Sequence, residues 1–324
     1  MLRNVVYASL GMAVGALMLW LALSKVDLNE VNQALERGRA GPMALAVFVY
    51  WASLAIRTAR WKMILSGTVQ LRYGQVGQAL VVGYSINNLL PARLGELFRA
   101  DYLRRRFGVE RAVALGSIVV ERLMDGVFAL LLLASGLVFL GPGPDHSSLV
   151  NATTVGAAVI GAAIVGACGI AVFHDRLPLD RLPWLKRRIG MFASAMMVVR
   201  RPVFVGAVIL SGVIWLLETA CLALVAAAFN ATVNVAGALI LIGAVSFSTL
   251  LPSAPGYIGS LQAAFVLVFL ALGLPPVLGL LSATAMQVVL LGPLLIAGLV
   301  ILLVGMGLSA ANRRAGANSS PGQS

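Results

Sequence analysis

Six stretches of the chain are apolar over about 20 residues or more, at residues 5–23, 43–65, 112–140, 149–173, 203–229 and 277–308. That is the ~20-residue length with which an α-helix crosses a hydrocarbon core of about 30 Å, where every backbone polar group must find its partner inside the helix. The chain therefore reads as an all-α polytopic membrane protein with about six spanning helices. Composition agrees, since 60% of the 324 residues are hydrophobic and only 11% are charged, against roughly half and a quarter in soluble domains. The first run is expected to persist as a helix. Ser24-Lys25-Val26-Asp27 follows it where a cleavable signal would carry a small-x-small site.

The net charge of +12 raises nucleic acid as a partner, but the basic residues sit in short segments between apolar runs rather than on a basic helix or an aromatic-basic ladder. Membrane insertion and anionic headgroups account for them, and no nucleic-acid partner is expected. Arg57, Arg60, Lys62 and Arg72 follow the second run, and Arg93, Arg99, Arg104, Arg105, Arg106 and Arg111 precede the third. Lys186, Arg187, Arg188, Arg200 and Arg201 crowd a later connection, whereas residues 141–148 carry no Lys or Arg. The positive-inside rule then places both termini in the cytoplasm, in a multi-pass protein of the cytoplasmic (inner) membrane. Residues 309–324, rich in Gly, Ser, Asn and Ala, read as a disordered cytoplasmic tail after a single transmembrane domain of residues 1–308. Cys168 and Cys221 lie singly in apolar runs and read as small buried residues. No metal site, cofactor motif or catalytic group is expected.

Residues 76–88 are apolar but number only 13, reaching roughly 20 Å at 1.5 Å per residue. A full crossing would also strand the following arginines on the outer side. A re-entrant hairpin is expected instead, entering to Asn88, breaking at Pro91 and Gly95, and returning through Leu97 to Phe107. The motif Ser85-Ile86-Asn87-Asn88-Leu89-Leu90-Pro91 recurs as Ser246-Phe247-Ser248-Thr249-Leu250-Leu251-Pro252, with Gly95 and Gly259 following. The second copy has matching lengths: residues 235–251, a break at Pro252, Pro255, Gly256 and Gly259, and a return over residues 261–272. Three crossings separate the copies, so they enter from opposite sides, as in an inverted-topology repeat with halves of about residues 76–140 and 235–308. Gly108, Leu115 and Arg122 fall opposite Gly273, Leu280 and Gln287.

Ionisable residues deep in such a chain cost a few kcal/mol each unless paired or wetted, and so mark candidate sites. Glu121, Arg122 and Asp125 fall about 15 to 20 Å into the third run. Glu121 and Asp125 share a face, with Arg122 to one side. They are expected to place a headgroup on Arg122, with Glu121 and Asp125 orienting it or carrying a coupling proton, or to form an internal lock with Glu96 or Arg93, and the two roles are compatible. Asn87 and Asn88 can cap the broken helix or contact a ligand. Arg57 is deep enough to face a cavity, whereas Arg60, Trp61 and Lys62 read as an interfacial belt and Arg99 as closer to the surface. Glu218 lies mid-span and needs a partner or a proton. Gln287 is a lesser candidate.

Taken in order, Asn87-Asn88-Leu89-Leu90-Pro91-Ala92-Arg93-Leu94-Gly95-Glu96, then Glu121-Arg122-x-x-Asp125, then Leu251-Pro252-Ser253-Ala254-Pro255-Gly256-Tyr257-Ile258-Gly259 resemble the transmembrane, flippase-like domain of lysylphosphatidylglycerol synthases. That domain also occurs as stand-alone membrane proteins and beside glycosyltransferases. The resemblance covers residues 57–287 and implies translocation of a membrane lipid or a polyprenyl-phosphate-linked headgroup, with these motifs lining the path. No soluble acyltransferase-like domain follows in the 324 residues, so the chain is expected not to make lysylphosphatidylglycerol itself. Two other readings stay open at this point: an integral-membrane transferase acting on a lipid headgroup, and a non-transporting partner of a separate lipid synthase or glycosyltransferase.

Overall fold

The computed structural model describes residues 2–26, 29–89, 94–141, 147–173, 183–249 and 254–318. In chain order its helices are α1 (Leu2–Leu23), α2 (Asn29–Glu36), α3 (Ala40–Leu65), α4 (Tyr73–Leu89), α5 (Gly95–Phe107) and α6 (Arg111–Leu140). There follow α7 (Ser147–Phe173), α8 (Pro183–Met196), α9 (Val203–Ala228), α10 (Val235–Ser248), α11 (Ser260–Ala271) and α12 (Pro276–Asn318). Short 3₁₀ turns stand at Met197–Arg200 and Pro255–Tyr257. Among the described residues no strand occurs.

Five of these helices, α3, α6, α7, α9 and α12, have a stretch long and apolar enough to cross a membrane. They coincide with five of the six apolar runs. The sixth run is α1, a helix of 22 residues. Helix α12 extends to Asn318, into the stretch whose composition reads as a tail. Cys221 is buried, whereas Cys168 is exposed on α7, so the expectation that both are buried holds for one of them. In an apolar run the alternative to burial in protein is the hydrocarbon of the bilayer, which suits a cysteine equally.

The two motif copies each sit in a helix–break–helix pair. With 17 and 13 residues, α4 and α5 are about 25 and 20 Å long, and with 14 and 12, α10 and α11 are about 21 and 18 Å. Each is shorter than a ~30 Å core. Pro91 and Pro252 lie outside the described residues. The second break is visible at Gly256, Tyr257 and Gly259, all with positive φ. A Cβ at Gly259 would overlap the carbonyl oxygen of Gly15, because α1 rests on this break.

The pairs are also alike in how they end and pack. Helices α5 and α11 both stop at a glycine with left-handed backbone, Gly108 (φ 72°) and Gly273 (φ 68°), the conformation that closes a helix C-terminus at least steric cost. Each pair's first helix leans on the long helix of the other segment. Ser85 on α4 donates to the Leu294 carbonyl of α12 at 2.7 Å, beside Gly298, where a Cβ would strike that serine. Helix α10 packs on α6 through Gly243 against Leu133 and Gly136 against Ile240. The tips meet near the molecular centre, where Gly256 lies next to the Asn88 carbonyl.

Within the first pair the helices touch at Gly95, whose missing side chain leaves room for the Gly83 carbonyl and the Asn87 amide. Gly95→Ala is therefore expected to destabilise the detergent-solubilised protein by about 1–3 kcal/mol, as overpacking does. Gly74→Ala, at an exposed helical site with no atom within 4 Å of a new Cβ, should be neutral or slightly stabilising. Thermal unfolding of the two variants checks this.

Candidate functional site

Among the described residues, four arginines and four carboxylates from α3, α5, α6 and α9 converge at the inner end of the first helix pair. The arginines are Arg57, Arg60, Arg99 and Arg122, and the carboxylates are Glu96, Glu121, Asp125 and Glu218, so the formal charges cancel. Placing them is a matter of helical spacing. Arg57 and Arg60 are i, i+3 on α3, Glu96 and Arg99 are i, i+3 on α5, and Glu121 and Asp125 are i, i+4 on α6, which puts each pair on one helix face.

Glu121 is at the centre, with no exposed surface. Its Oε2 accepts from Arg99 Nη2 at 2.5 Å, and its Oε1 lies 3.3 Å from Arg60 Nη2 and 3.2 Å from Arg122 Nη2. Asp125 accepts from Arg60 Nη1 at 2.7 Å on one oxygen and faces Arg122 and Arg57 at 3.4 and 3.5 Å on the other. Glu218 takes Arg57 at 2.5 Å and a hydrogen bond from the Ser53 hydroxyl at 3.1 Å. Arg60 also donates to Ser211 at 2.9 Å, and the Arg99 guanidinium carbon lies 3.3 Å from the centre of the Trp61 ring, a cation–π contact favoured by desolvation. Removing any one of the buried partners leaves an opposite charge uncompensated in low dielectric.

The cluster has a sealed back and an open front. Arg60, Arg99 and Glu121 are the sealed part. Arg57, Glu96, Arg122, Asp125 and Glu218 line a cavity of about 340 Å³ together with Asn88, Tyr84 and a mainly apolar wall from α9, α10 and α12. Of the four arginines Arg122 is the least buried, with 33% of its side chain exposed. It pairs with Glu96 across from α5 at 3.0 Å and reaches the Tyr84 hydroxyl at 3.5 Å.

Eight of the ten residues picked from the sequence, Arg57, Asn87, Asn88, Glu96, Glu121, Arg122, Asp125 and Glu218, are thus brought together. Arg93 lies outside the described residues. Asn87 also accepts from the Gly95 N–H at 2.7 Å, tying the start of α5 to the end of α4. Gln287 stands apart: it donates to the Gly256 carbonyl at 2.7 Å and accepts from Gln262 at 2.7 Å. Its place on α12 mirrors that of Arg122 on α6, and Gln262 in the first turn of α11 mirrors Glu96 in the first turn of α5. The second pair is fastened by neutral amides where the first is fastened by charge.

Two arginines correct the sequence reading. Arg60 and Trp61 are fully buried rather than interfacial, and Arg99 is 1% exposed rather than near the surface. The physical reason is stoichiometric, because two carboxylates on one face of α6 need cations beyond Arg122. Gly83 and Gly95 were the accessible signal for Arg99, since bare backbone at both positions lets α5 lie close enough to send its side chain inward.

The family model for the lysylphosphatidylglycerol synthase TM region matches residues 8–298. The chain belongs to this family. A UPF0104 membrane protein, MJ1595, from Methanocaldococcus jannaschii is 26% identical over 106 residues, which is 32% of each protein. The chain therefore matches about a third of that relative's length. No solved structure matches. The lysylphosphatidylglycerol synthase TM region match spans all eight charged residues of the cluster, and makes this a multi-pass membrane protein of a lipid-related family.

Glu121→Gln should cost about 3–5 kcal/mol, the usual penalty for breaking a buried ion pair, because Arg60 and Arg99 lose their shared anion. Glu96→Gln, at a pair whose side chains are a third and a quarter exposed, should cost less, about 1 kcal/mol. Thermal unfolding in detergent checks the order. Equal effects of the two substitutions would contradict it.

Proposed function

We propose that the protein is a flippase that moves a lipid, or a polyprenyl-linked anionic headgroup, between the leaflets of the cytoplasmic membrane. In this reading α4–α5 and α10–α11 are re-entrant hairpins that approach from opposite faces, both termini are cytoplasmic, and the two segments form an inverted repeat. What supports it is their short lengths, their reciprocal packing on α12 and α6, and a cavity with charged groups on one side where their tips meet. The chain acts as a transporter with no catalytic group of its own, alone or beside a separate lipid synthase or glycosyltransferase.

The observation that carries the proposal is Arg122, a guanidinium inside the cavity, a third exposed, and held by a carboxylate from the neighbouring hairpin. Guanidinium binds phosphate through two parallel hydrogen bonds, so a headgroup phosphate can replace Glu96 in kind. The exchange has a mechanical consequence. Glu96 is on α5 and Arg122 on α6, so phosphate binding releases a charged fastening between this hairpin and α6 at the cavity. Arg60, Arg99 and Glu121 behind it stay sealed and keep the helices in register. With a volume of about 340 Å³, near the lower end of ligand pockets (~300–1,000 Å³), the cavity suits a headgroup, and the hydrocarbon chains remain in the bilayer. Asn88 and Tyr84 supply hydrogen bonds to the rest of the headgroup.

The test is movement of fluorescent phosphatidylglycerol, or of a polyprenyl phosphate, across vesicles containing the purified protein. Movement should exceed that of protein-free vesicles. Arg122→Gln should slow it about tenfold or more, in line with the 1.5–3 kcal/mol of a hydrogen bond to a charged group. No movement of either lipid would overturn the transport reading. Metal-dependent modification of the lipid in its place would favour a membrane transferase.

A further inference from the structure

The cavity holds a headgroup only if its hydrocarbon chain has a way out, and the packing of α6, α7 and α10 marks one. Along most of their length α6 and α10 form a closed seam. A Cβ on Gly136 would lie 2.8 Å from Ile240, and one on Gly243 would lie 2.5 Å from Leu133 and 3.2 Å from the Ala129 carbonyl. One turn further towards the hairpin tip the seam changes character. There Gly126 on α6 and Phe247 on α10 both line the cavity.

Both are covered from outside by α7. Ile160 on α7 fills the space beside Gly126, 3.2 Å from where a Cβ would be, and Gly156, one turn away, lies against the Phe247 ring at 2.7 Å from its own would-be Cβ. Between the cavity and α7, then, stand a residue without a side chain and one aromatic ring. Among the described residues of α7, Gly156, Ile160, Ala167 and Ala171 are buried, on one stripe, while Val155, Val159 and Val165 are exposed.

We propose that the opening at Gly126 and Phe247, beneath α7, is a binding site for a lipid's hydrocarbon chain, through which the chain passes from the bilayer while its headgroup occupies the cavity. Rotation of Phe247 with a small outward shift of α7 opens it, and the glycines at 126 and 156 leave the width of a single chain. The seam of Gly136, Gly243 and Leu133 is the fixed side of the opening. The site rests on the flippase reading for its headgroup partner, but its chemistry can be tested without transport.

The experiment uses phosphatidylglycerol with a diazirine in its acyl chain, photolysed in vesicles holding a Gly156→Cys, Phe247→Cys, Cys168→Ala variant. Labelling is read residue by residue. Met286 lines the cavity, and Val288 on the same helix is 66% exposed, so it reports the outer surface. Met286 and Val288 should both be labelled before linking. A short bifunctional methanethiosulfonate joining positions 156 and 247 should abolish label at Met286 alone, and a reductant should restore it. Phe247→Ala in the otherwise unaltered chain should raise label at Met286, which keeps the test open if the cysteine variant misfolds. Label at Met286 that survives linking, or label at Val288 with none at Met286, would overturn the proposal. Gated label at Met286 without lipid movement in the vesicle assay would sustain this site and reject the flippase reading.

Discussion

Everything at the centre of the molecule depends on Glu121, a carboxylate with no exposed surface held between the guanidinium groups of Arg60 and Arg99. An unpaired charge in that position costs several kcal/mol, far more than an apolar residue of the same size. The pairing is therefore less a source of stability than a condition on geometry. Helices α3, α5 and α6 must meet at one point in one register, or buried charges lose their partners. Once they do, the remaining charges fall into place at the front, where Arg57 is held by Glu218 on α9 and Arg122 by Glu96 on α5.

This condition separates what is fixed from what can move. The back of the cluster does not line the cavity: Arg99 is stacked on Trp61 and paired with Glu121, and Arg60 is paired with Glu121 and Asp125 and hydrogen-bonded to Ser211. The front opens on the cavity, and its Glu96–Arg122 link is the tie between α5 and α6 that faces it, whereas Arg99–Glu121 and Asp101–Arg111 join the same two helices away from the cavity. The second segment carries the same fastening in neutral form, Gln262 to Gln287 to the Gly256 carbonyl. A charged latch responds to an incoming anion and an amide latch does not, so the two helix pairs, alike in length and packing, differ in what can release them.

Much of this was legible in the sequence because membrane chains obey a small number of rules strictly. Run length marked the long helices, and the 13 residues before Asn88 were too few for a crossing, which pointed to the helix–break–helix arrangement. Depth made Glu121, Arg122 and Asp125 stand out, since charge is rare there. What the sequence left hidden was partner choice. Arg60 beside Trp61 has the look of an interfacial anchor, and only the packing of α3 on α6 and α9 turns both residues inward. Arg99 belongs to a helix with Arg104, Arg105 and Arg106, and Gly83 decides that it alone points to the core. Gln287, found by its match to Arg122, proved to be a tie at the other tip because its neighbour is an amide rather than a carboxylate.

The central claim is that Arg122 exchanges Glu96 for the phosphate of a lipid headgroup. Native mass spectrometry of protein purified with its lipids retained tests this most directly. The account predicts a bound phosphate-bearing lipid on the wild-type chain, lost in Arg122→Gln and held more tightly in Glu96→Gln, where the competing carboxylate is gone. Wild-type protein with no enriched phosphate-bearing lipid, or one bound equally to both variants, would contradict it.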